Sequence, residues 1–304
     1  MTVAAIVVRD LYKRYGETDA VAGVSFEIAE GEVYGLLGQN GAGKSTTVEI
    51  LEGHRRATAG SVSVLGTDPA DSGREFRDRI GIVLQSSGVE QQLTIREALR
   101  FYGSCYRDPR PIDEVVEMVG LTEKIDARIG TLSGGQRRRI DLALGIIGRP
   151  ELLFLDEPTT GFDPVARRES WKLVQRLCED GTTVLLTTHY LDEAEHLADR
   201  VGVLAGGRLI AQGTPDELMA AAPDATISFE LPAATSSDQL RIPATASIEA
   251  GLVRIETEFP TAVLANITAA AVERGVELVG LSVRRPSLED IFLQLGNDSV
   301  EAPE

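Results

Sequence analysis

A glycine-rich stretch that ends in lysine and two hydroxyl residues carries the clearest chemistry in the sequence. It runs from Gly38 to Thr46, fits the pattern G-x-x-x-x-G-K-[ST] and follows a strand-like apolar run. Glycines let successive amide N–H groups face one anion, Lys44 adds a positive charge, and Ser45 offers a hydroxyl to Mg²⁺. The pattern therefore predicts a loop for the phosphates of a nucleoside triphosphate, more strongly than an ordinary strand-to-helix turn. The residues that would contact the nucleotide are Gly38, Gln39, Asn40, Gly41, Ala42, Gly43, Lys44, Ser45 and Thr46.

An acidic pair at the end of a second apolar run could hold the metal that such a nucleotide needs. Residues 152–155 are hydrophobic without alternation, which is typical of a strand buried on both faces, and Asp156 and Glu157 follow. Ligands of open α/β sheets bind at the carboxyl ends of the strands. Asp156 is therefore predicted to hold Mg²⁺ together with Ser45, and Glu157 to orient the attacking water as a catalytic residue beside Lys44. The alternative, a solvated Asp-Glu-Pro turn, is weakened by the phosphate loop upstream.

Three single residues carry weaker signals, whose meaning the residues alone leave open. Tyr15 could stack on an adenine ring, or it could pack on a turn as an edge-strand tyrosine. Gln85 follows a buried-looking strand, so its amide could reach a magnesium-bound water, but a lone glutamine there is usually a loop residue. His189 follows the apolar run 182–188, on what should be the same sheet edge as Asp156 and Glu157. A single histidine is nevertheless more often structural than catalytic.

A second candidate anion site is the group Ser133, Gly134, Gly135 and Gln136, just before an apolar helix. A serine and two glycines at a helix start could bind an anion, and a plain helix cap is the alternative. Three arginines, 137–139, follow at the same positive helix end, where they are unfavourable to the helix dipole. We interpret these arginines as a solvated face.

The segments around these residues predict an α/β domain over residues 1–222. Strand-like segments between residues 6 and 30 precede the phosphate loop, and buried strands are predicted near 79–85, 152–156 and 182–188. The span from about 86 to 148 is predicted to be a helical subdomain, in which Thr94 and Glu97 form a capping-box sequence. A helix over 165–178 is predicted to turn Trp171 inward.

The remainder, residues 223–296, is predicted to form a small α+β domain after a linker near 220–224. Its pattern indicates a strand at 252–259, a helix at 262–274 and a further strand at 277–283. Ser287 is predicted to cap a last helix, and residues 297–304 are predicted to be a disordered tail. This domain has no catalytic constellation of its own.

The composition argues against several classes of function. The chain has 304 residues, with 30 Lys and Arg against 47 Asp and Glu, and its formal net charge of -17 disfavours nucleic acid or an anionic lipid surface as a partner. Cys105 and Cys178 are its only cysteines and lack metal-ligand spacing, so neither a disulfide framework nor a zinc site is expected. We expect the N-terminus to be a first strand rather than a signal peptide, and no apolar run is long enough for a membrane span.

Together these motifs resemble the ATP-binding cassette (ABC) ATPases over roughly residues 6–218. The resemblance implies an α/β P-loop NTPase cassette, with a mostly parallel sheet core, N-terminal antiparallel strands and a helical subdomain, followed by the small α+β domain. Within the family the sequence is similar to the ATPases of drug-efflux and ABC-2-type exporters, including the daunorubicin-resistance type. The family motifs occur in order as the Walker A loop (38–46), the Q-loop (Gln85), the signature (132–136), the Walker B strand (152–157), the D-loop (161–164) and the switch histidine (His189).

The resemblance implies ATP and Mg²⁺ as cofactors, and it assigns roles that the residues alone left open. It implies that Tyr15 stacks on adenine, that Gln85 senses the γ-phosphate and Mg²⁺, and that His189 contacts the γ-phosphate. Asp163, in the D-loop, is implied to belong to the nucleotide site. Phe162 before it departs from the leucine that is more frequent in the family.

The chain carries one Walker A loop and one signature, whereas the family pairs these motifs across a dimer interface. The resemblance therefore implies a second ATPase subunit, expected to be a second copy, in which Ser133, Gly134 and Gly135 close on the γ-phosphate held by the first. It also implies a separate multi-span membrane permease, attachment through it to the cytoplasmic face of the membrane, and no nucleic-acid partner. An importer ATPase and a soluble ABC ATPase acting on ribosomes or DNA are the alternatives.

Overall fold

The computed structural model of the protein describes residues 3–84, 88–159, 161–188, 190–221, 225–232, 235–284 and Leu288. Its strands are β1 (Ala4–Tyr15), β2 (Thr18–Ala29), β3 (Val33–Gly38), β4 (Ala59–Val64), β5 (Ile80–Val83), β6 (Leu152–Asp156), β7 (Thr183–Thr188), β8 (Arg200–Ala205), β9 (Arg208–Gly213), β10 (Ala225–Glu230), β11 (Ser247–Glu249), β12 (Leu252–Thr257) and β13 (Ser282–Arg284). Its helices are α1 (Lys44–Leu51), α2 (Arg74–Arg79), α3 (Ile95–Gly103), α4 (Ile112–Met118), α5 (Gly134–Ile146), α6 (Pro164–Glu179), α7 (Leu191–Leu197), α8 (Pro215–Ala221) and α9 (Pro260–Glu273). Within these described ranges, no helix is both long and apolar enough to cross a membrane.

A six-stranded sheet forms the centre of the compact unit that ends at Pro215. Its order is β5-β6-β7-β3-β8-β9, with the first five strands parallel and β9 antiparallel to β8. Every residue of β3 and β7 is buried, as predicted for apolar runs in a sheet covered on both faces. The register pairs Asp156 with Thr187 and Leu37 with Thr188. The carboxyl ends of β6, β7 and β3 therefore lie side by side at one edge of the sheet.

A second sheet, of three antiparallel strands in the order β2-β1-β4, lies in the same unit. Its apolar side chains share one core with α1 and with the six-stranded sheet. This confirms the N-terminal antiparallel strands expected for the cassette. Members of that core are Ile6, Leu11, Phe26, Leu36, Ile50 and Phe154.

The span 88–148 is helical, as predicted, and its described residues contain α3, α4 and α5 but no strand. Helix α3 begins at the predicted capping box, in which Thr94 Oγ1 accepts from the Glu97 N–H (3.2 Å) and Glu97 Oε2 accepts from the Thr94 N–H (2.8 Å). Ile95, Ala98 and Leu99 are fully buried on one face of this helix. The local capping chemistry and the helical period therefore agree with the observed packing.

The second compact unit begins at Asp216, before the boundary at 222/223 that the sequence indicates. It contains a four-stranded antiparallel sheet, β11-β12-β10-β13, and α9, with a core of its own around Phe229, Val253 and Ile267. The strand predicted at 277–283 is wrong in extent, because the observed strand β13 begins only at Ser282 and the turn before it contains Gly280 at a φ of 68°. The predicted helix cap at Ser287 and the predicted tail lie outside the described residues.

Candidate nucleotide-binding site

The predicted phosphate loop connects β3 to α1 at the edge of the six-stranded sheet. Lys44, the first residue of α1, is 8% exposed, and its Nζ donates to the backbone oxygens of Gly38 (2.5 Å) and Gln39 (3.1 Å). Its ammonium group therefore lies within the curve of the loop. Among the described residues no side chain caps the N-terminus of α1, which leaves its first amide N–H groups and the positive end of its dipole at the loop. An anion would satisfy both.

Gly43 shows why this loop needs glycine. Its φ is 102°, and a Cβ atom at this position would lie 2.4 Å from the backbone oxygen of Ala20 in β2. A side chain would strain the backbone and push the loop away from β2. The phosphate loop and the β1–β2 hairpin, which closes between Tyr15 and Thr18, therefore pack backbone against backbone.

Asp156 and Glu157 lie at the carboxyl end of β6, as predicted, and both are half-buried. Thr187 Oγ1 donates to Asp156 Oδ1 (2.5 Å), which holds that carboxylate against β7. Glu157 has a φ of 48°, in the left-handed region that residues other than glycine rarely adopt, and its N–H donates to Thr187 O (2.9 Å). Strained backbone of this kind is found at functional sites, and here it turns Glu157 out of the path of the strand.

The acidic pair is within electrostatic reach of Lys44. Burial lowers the pKa of Lys44, while the negative charges of Glu157 and Asp156 act in the opposite direction. The lysine and both carboxylates therefore belong to one site. The exposed hydroxyl of Ser45 and the carboxylate of Asp156 carry oxygen atoms, the donor type that Mg²⁺ prefers, so these two residues could hold the ion.

Tyr15 is 41% exposed at the end of β1, so its ring is accessible to a base. Lys13 Nζ and the Arg55 guanidinium lie 5.1 and 5.6 Å from its ring centroid. We expect Tyr15→Ala to weaken ATP binding about 5- to 150-fold, because stacking of a base on an aromatic ring contributes ~1–3 kcal/mol. Tyr15→Phe keeps the ring and should bind as the wild type does. Titration of each variant with ATP measures the difference, and an unchanged alanine variant would favour the edge-strand alternative.

The signature residues stand at the start of α5. Ser133 is the N-cap, its Oγ accepts from the Gln136 N–H (3.3 Å), and Gln136 Oε1 accepts from the Ser133 N–H (3.1 Å). The helix cap that the sequence offered as the alternative is therefore present, as a full capping box. Ser133 and Gly134 are exposed, so the same helix end is also accessible to an anion. The helix cap and an anion site are therefore compatible at this helix end.

A cleft of about 510 Å³ lies beside the signature and is lined by Ser133, Gly135, Gln136, Asp163 and residues 120–124. No described residue of the phosphate loop lines it. The carboxylate of Asp163 accepts from the N–H groups of Val165 and Ala166 (2.9 Å each) and so caps α6. The predicted contact of Asp163 with the nucleotide site stays a prediction. Nor does the signature share this cleft with the phosphate loop of its own chain.

The arginines after the signature do not form a solvated face, and that interpretation is wrong for Arg138. Arg137 is exposed and Arg139 is half-buried, but Arg138 is only 6% exposed. Asp141, three residues later on the helix, is a sequence signal that Arg138 has an acidic partner, but it does not indicate that Arg138 is buried. Its guanidinium donates from Nε to Pro158 O (3.0 Å), from Nη2 to Asp156 O (2.7 Å) and Glu157 O (2.8 Å), and from Nη1 to Leu84 O, and it pairs with Asp141 Oδ2 (3.5 Å).

A buried glutamate on α7 is a second residue that the sequence reading missed. Glu193 is fully buried, and Trp171 Nε1 donates to its Oε1 (3.2 Å). Burial raises the pKa of Glu193. Trp171 is half-buried rather than fully inward, and its ring lies on that of His196 with 4.7 Å between centroids. The sequence of α7 is acidic and gives no signal that Glu193 is buried. Its burial depends on packing against α6, which carries Trp171.

Gln85 and His189, two of the predicted nucleotide-site residues, lie outside the described residues. The elements on either side of them are described. β5 ends at Val83, and β7 ends at Thr188 beside Leu37 of β3. The proposed roles of Gln85 and His189 therefore stay predictions.

Comparisons with known proteins identify the family of the chain. Residues 21–160 match the family model described as ABC transporter, and residues 225–287 match the one described as ABC transporter domain-containing protein-like, C-terminal domain. The chain is 38% identical over 308 residues to the daunorubicin resistance ATP-binding protein DrrA3 of Streptomyces coeruleorubidus, with 98% of each chain covered. It is 37% identical over 308 residues to the Nod factor export ATP-binding protein I of Rhizobium etli, with 99% of this chain and 96% of the relative covered.

A solved structure supports the fold. It is the dimeric ATP-binding cassette MJ0796 in a post-hydrolysis state bound to ADP and Pi, with a TM-score of 0.63 and 26% identity to this chain. The match covers 69% of this chain and 98% of the cassette. The fold expected from the motifs is thereby confirmed.

Proposed function

This chain belongs to the ATP-binding subunits of exporter-type ABC transporters and hydrolyses ATP, and we propose that it drives efflux of a drug, antibiotic or lipid-like molecule through a separate membrane permease. The observation that carries the proposal is similarity along nearly the whole chain, including the second unit, to a daunorubicin resistance ATP-binding protein. The geometry of the phosphate loop and acidic pair supports the ATPase step. Lys44, Asp156 and Glu157 all lie in the first unit, so we assign the chemistry to it.

The proposed mechanism uses residues that the structure brings to one sheet edge. The amide N–H groups at the start of α1 bind the phosphates. The ammonium group of Lys44 also binds them, and its hydrogen bonds to the oxygens of Gly38 and Gln39 are replaced by hydrogen bonds to phosphate oxygens. Glu157 orients the attacking water and accepts its proton. Mg²⁺, held by Ser45 and Asp156 with Gln85, would neutralise charge that develops on the phosphates.

The proposed active unit is a pair of chains related by two-fold symmetry. The signature lies beside a cleft that its own phosphate loop does not line, which supports its action on the loop of another chain. In the closed pair, Ser133 and the amides of Gly134 and Gly135 contact the γ-phosphate held by the partner. Closure completes the site and hydrolysis reopens it, and this motion is transmitted to the permease.

The permease is tested by recovering the tagged chain from detergent-solubilised membranes of its own cells. We expect a multi-span membrane protein to copurify with the full-length chain in a near-constant ratio, and to be absent from an untagged control. Because the chain is strongly acidic, the bound fraction is washed at high salt to remove proteins held by charge alone. Recovery with ribosomes or DNA and without a membrane protein would contradict the exporter proposal.

A further inference from the structure

Arg138 joins three parts of the proposed site through one side chain. It lies in the first turns of α5, which begins at the signature, and it reaches both the end of β5 and the turn after β6. A guanidinium group has five N–H donors in a fixed plane, and here five acceptors surround it. The acceptors are the backbone oxygens of Leu84, Asp156, Glu157 and Pro158 and the carboxylate of Asp141.

The backbone of Glu157 is fixed from both sides by this arrangement. Its N–H donates to Thr187 O (2.9 Å), and its carbonyl accepts from Arg138 Nη2 (2.8 Å). The carbonyl of the preceding residue, Asp156, accepts from the same nitrogen (2.7 Å). With a φ of 48°, Glu157 holds a conformation that a free turn would leave, and these hydrogen bonds hold the backbone from which its carboxylate extends.

We infer that Arg138 is a positioning residue for hydrolysis, which sets the direction of Glu157 and ties it to the helix that carries the signature of the same chain. The inference rests on the proposed function, because it assumes that Glu157 orients the attacking water. Arg138 itself touches backbone oxygens and Asp141, so it acts through Glu157. The contact with Leu84 extends the same link to the residue that follows β5.

Lysine cannot replace this guanidinium group, because all three of its N–H donors are on a single nitrogen and cannot reach acceptors spread over a plane. The test therefore compares Arg138→Lys and Arg138→Gln with Arg137→Gln, which changes the exposed arginine next along the helix. The amount of each protein that binds MgATP is titrated first, and ATPase rates are expressed per binding-competent chain. This correction removes any loss that comes from misfolding alone.

We expect both Arg138 variants to bind MgATP within about twofold of the wild type, and their kcat to fall about 10²-fold, as for small misplacements of a catalytic group. Arg137→Gln should keep the wild-type rate. The same substitutions are then made with Glu157→Gln, and single-turnover hydrolysis is measured. There we expect a further loss of less than about threefold, because effects of residues that act through one another do not add.

Two outcomes would overturn the inference. In the first, the kcat of the Arg138 variants, expressed per binding-competent chain, equals that of Arg137→Gln. In the second, the Arg138 substitutions reduce the hydrolysis rate by the same factor whether residue 157 is Glu or Gln, which would show that Arg138 does not act through Glu157. Failure of the proposed function looks different, since the wild-type chain itself would then bind MgATP without hydrolysing it in any pairing.

Discussion

A Glu157→Gln variant should bind ATP as the wild type does and lose hydrolysis by about 10²- to 10⁴-fold, the usual contribution of general base catalysis. Glutamine keeps the shape of the side chain and the backbone hydrogen bond to Thr187 O, but it cannot accept the proton of the attacking water. The phosphate loop and Lys44 are unchanged, so affinity should be retained. Steady-state release of phosphate and titration with ATP measure the two properties separately.

The same variant should accumulate as an ATP-bound pair of chains. Reopening of the site requires hydrolysis in the proposed cycle, so the closed pair persists when hydrolysis stops. Size-exclusion chromatography with MgATP would show the increase in mass. Glu179→Gln, an exposed change at the end of α6, is the matched control and should remain active and monomeric after turnover. A Glu157→Gln chain with the wild-type rate would show that Glu157 has another role.

Two inactive variants, Lys44→Ala and Ser133→Arg, should regain ATPase activity when they are mixed. Lys44→Ala removes the ammonium group that we expect to bind phosphate, at a cost of about 10- to 100-fold in affinity for a lost charged hydrogen bond. Ser133→Arg removes the hydroxyl and blocks the helix start. In a mixed pair, the intact phosphate loop of the Ser133→Arg chain faces the intact signature of the Lys44→Ala chain, so one of the two sites is complete. Since about half of the pairs are mixed on random pairing, up to roughly a quarter of wild-type activity should return.

A control mixture distinguishes a site shared between two chains from a loss of activity caused by misfolding. Loss of the Ser133 cap costs about 1 kcal/mol, which is small beside the usual stability of a domain. Mixing Lys44→Ala with the double variant Lys44→Ala and Ser133→Arg leaves no intact combination, and this mixture should stay inactive. If Ser133→Arg alone hydrolysed ATP like the wild type, the signature would not be part of the site.

The parts of the fold that depend on local pattern were predictable from the sequence. The apolar runs of β3, β6 and β7 show no alternation, since both faces of a parallel sheet are covered, and their carboxyl ends place Lys44, Asp156 and Glu157 at one edge. The capping box at Thr94 was predictable because both of its partners lie within four residues, and the helix cap at Ser133 was considered as an alternative for the same kind of local reason.

The parts that depend on distant contacts were not predictable. Arg138 looks like one of three solvated arginines until Leu84 and Pro158 are brought beside it by the sheet. The need for glycine at position 43 is visible as a motif, but its steric reason is the oxygen of Ala20 on another strand. The last strand was too long in the prediction because Leu278 packs in the core although it lies before the strand begins.

The hydroxyl group of Ser133 can take part in the capping box and bind an anion at the same time. A serine hydroxyl has two lone pairs and one proton, and the cap uses a lone pair to accept from the Gln136 N–H. The proton is not needed for the cap, so it can be donated to an anion. The bond to Gln136 also restricts the rotation of the side chain, and less rotational entropy is then lost when an anion binds. Helix stability and phosphate recognition can thus be selected together at this serine, without a compromise between them.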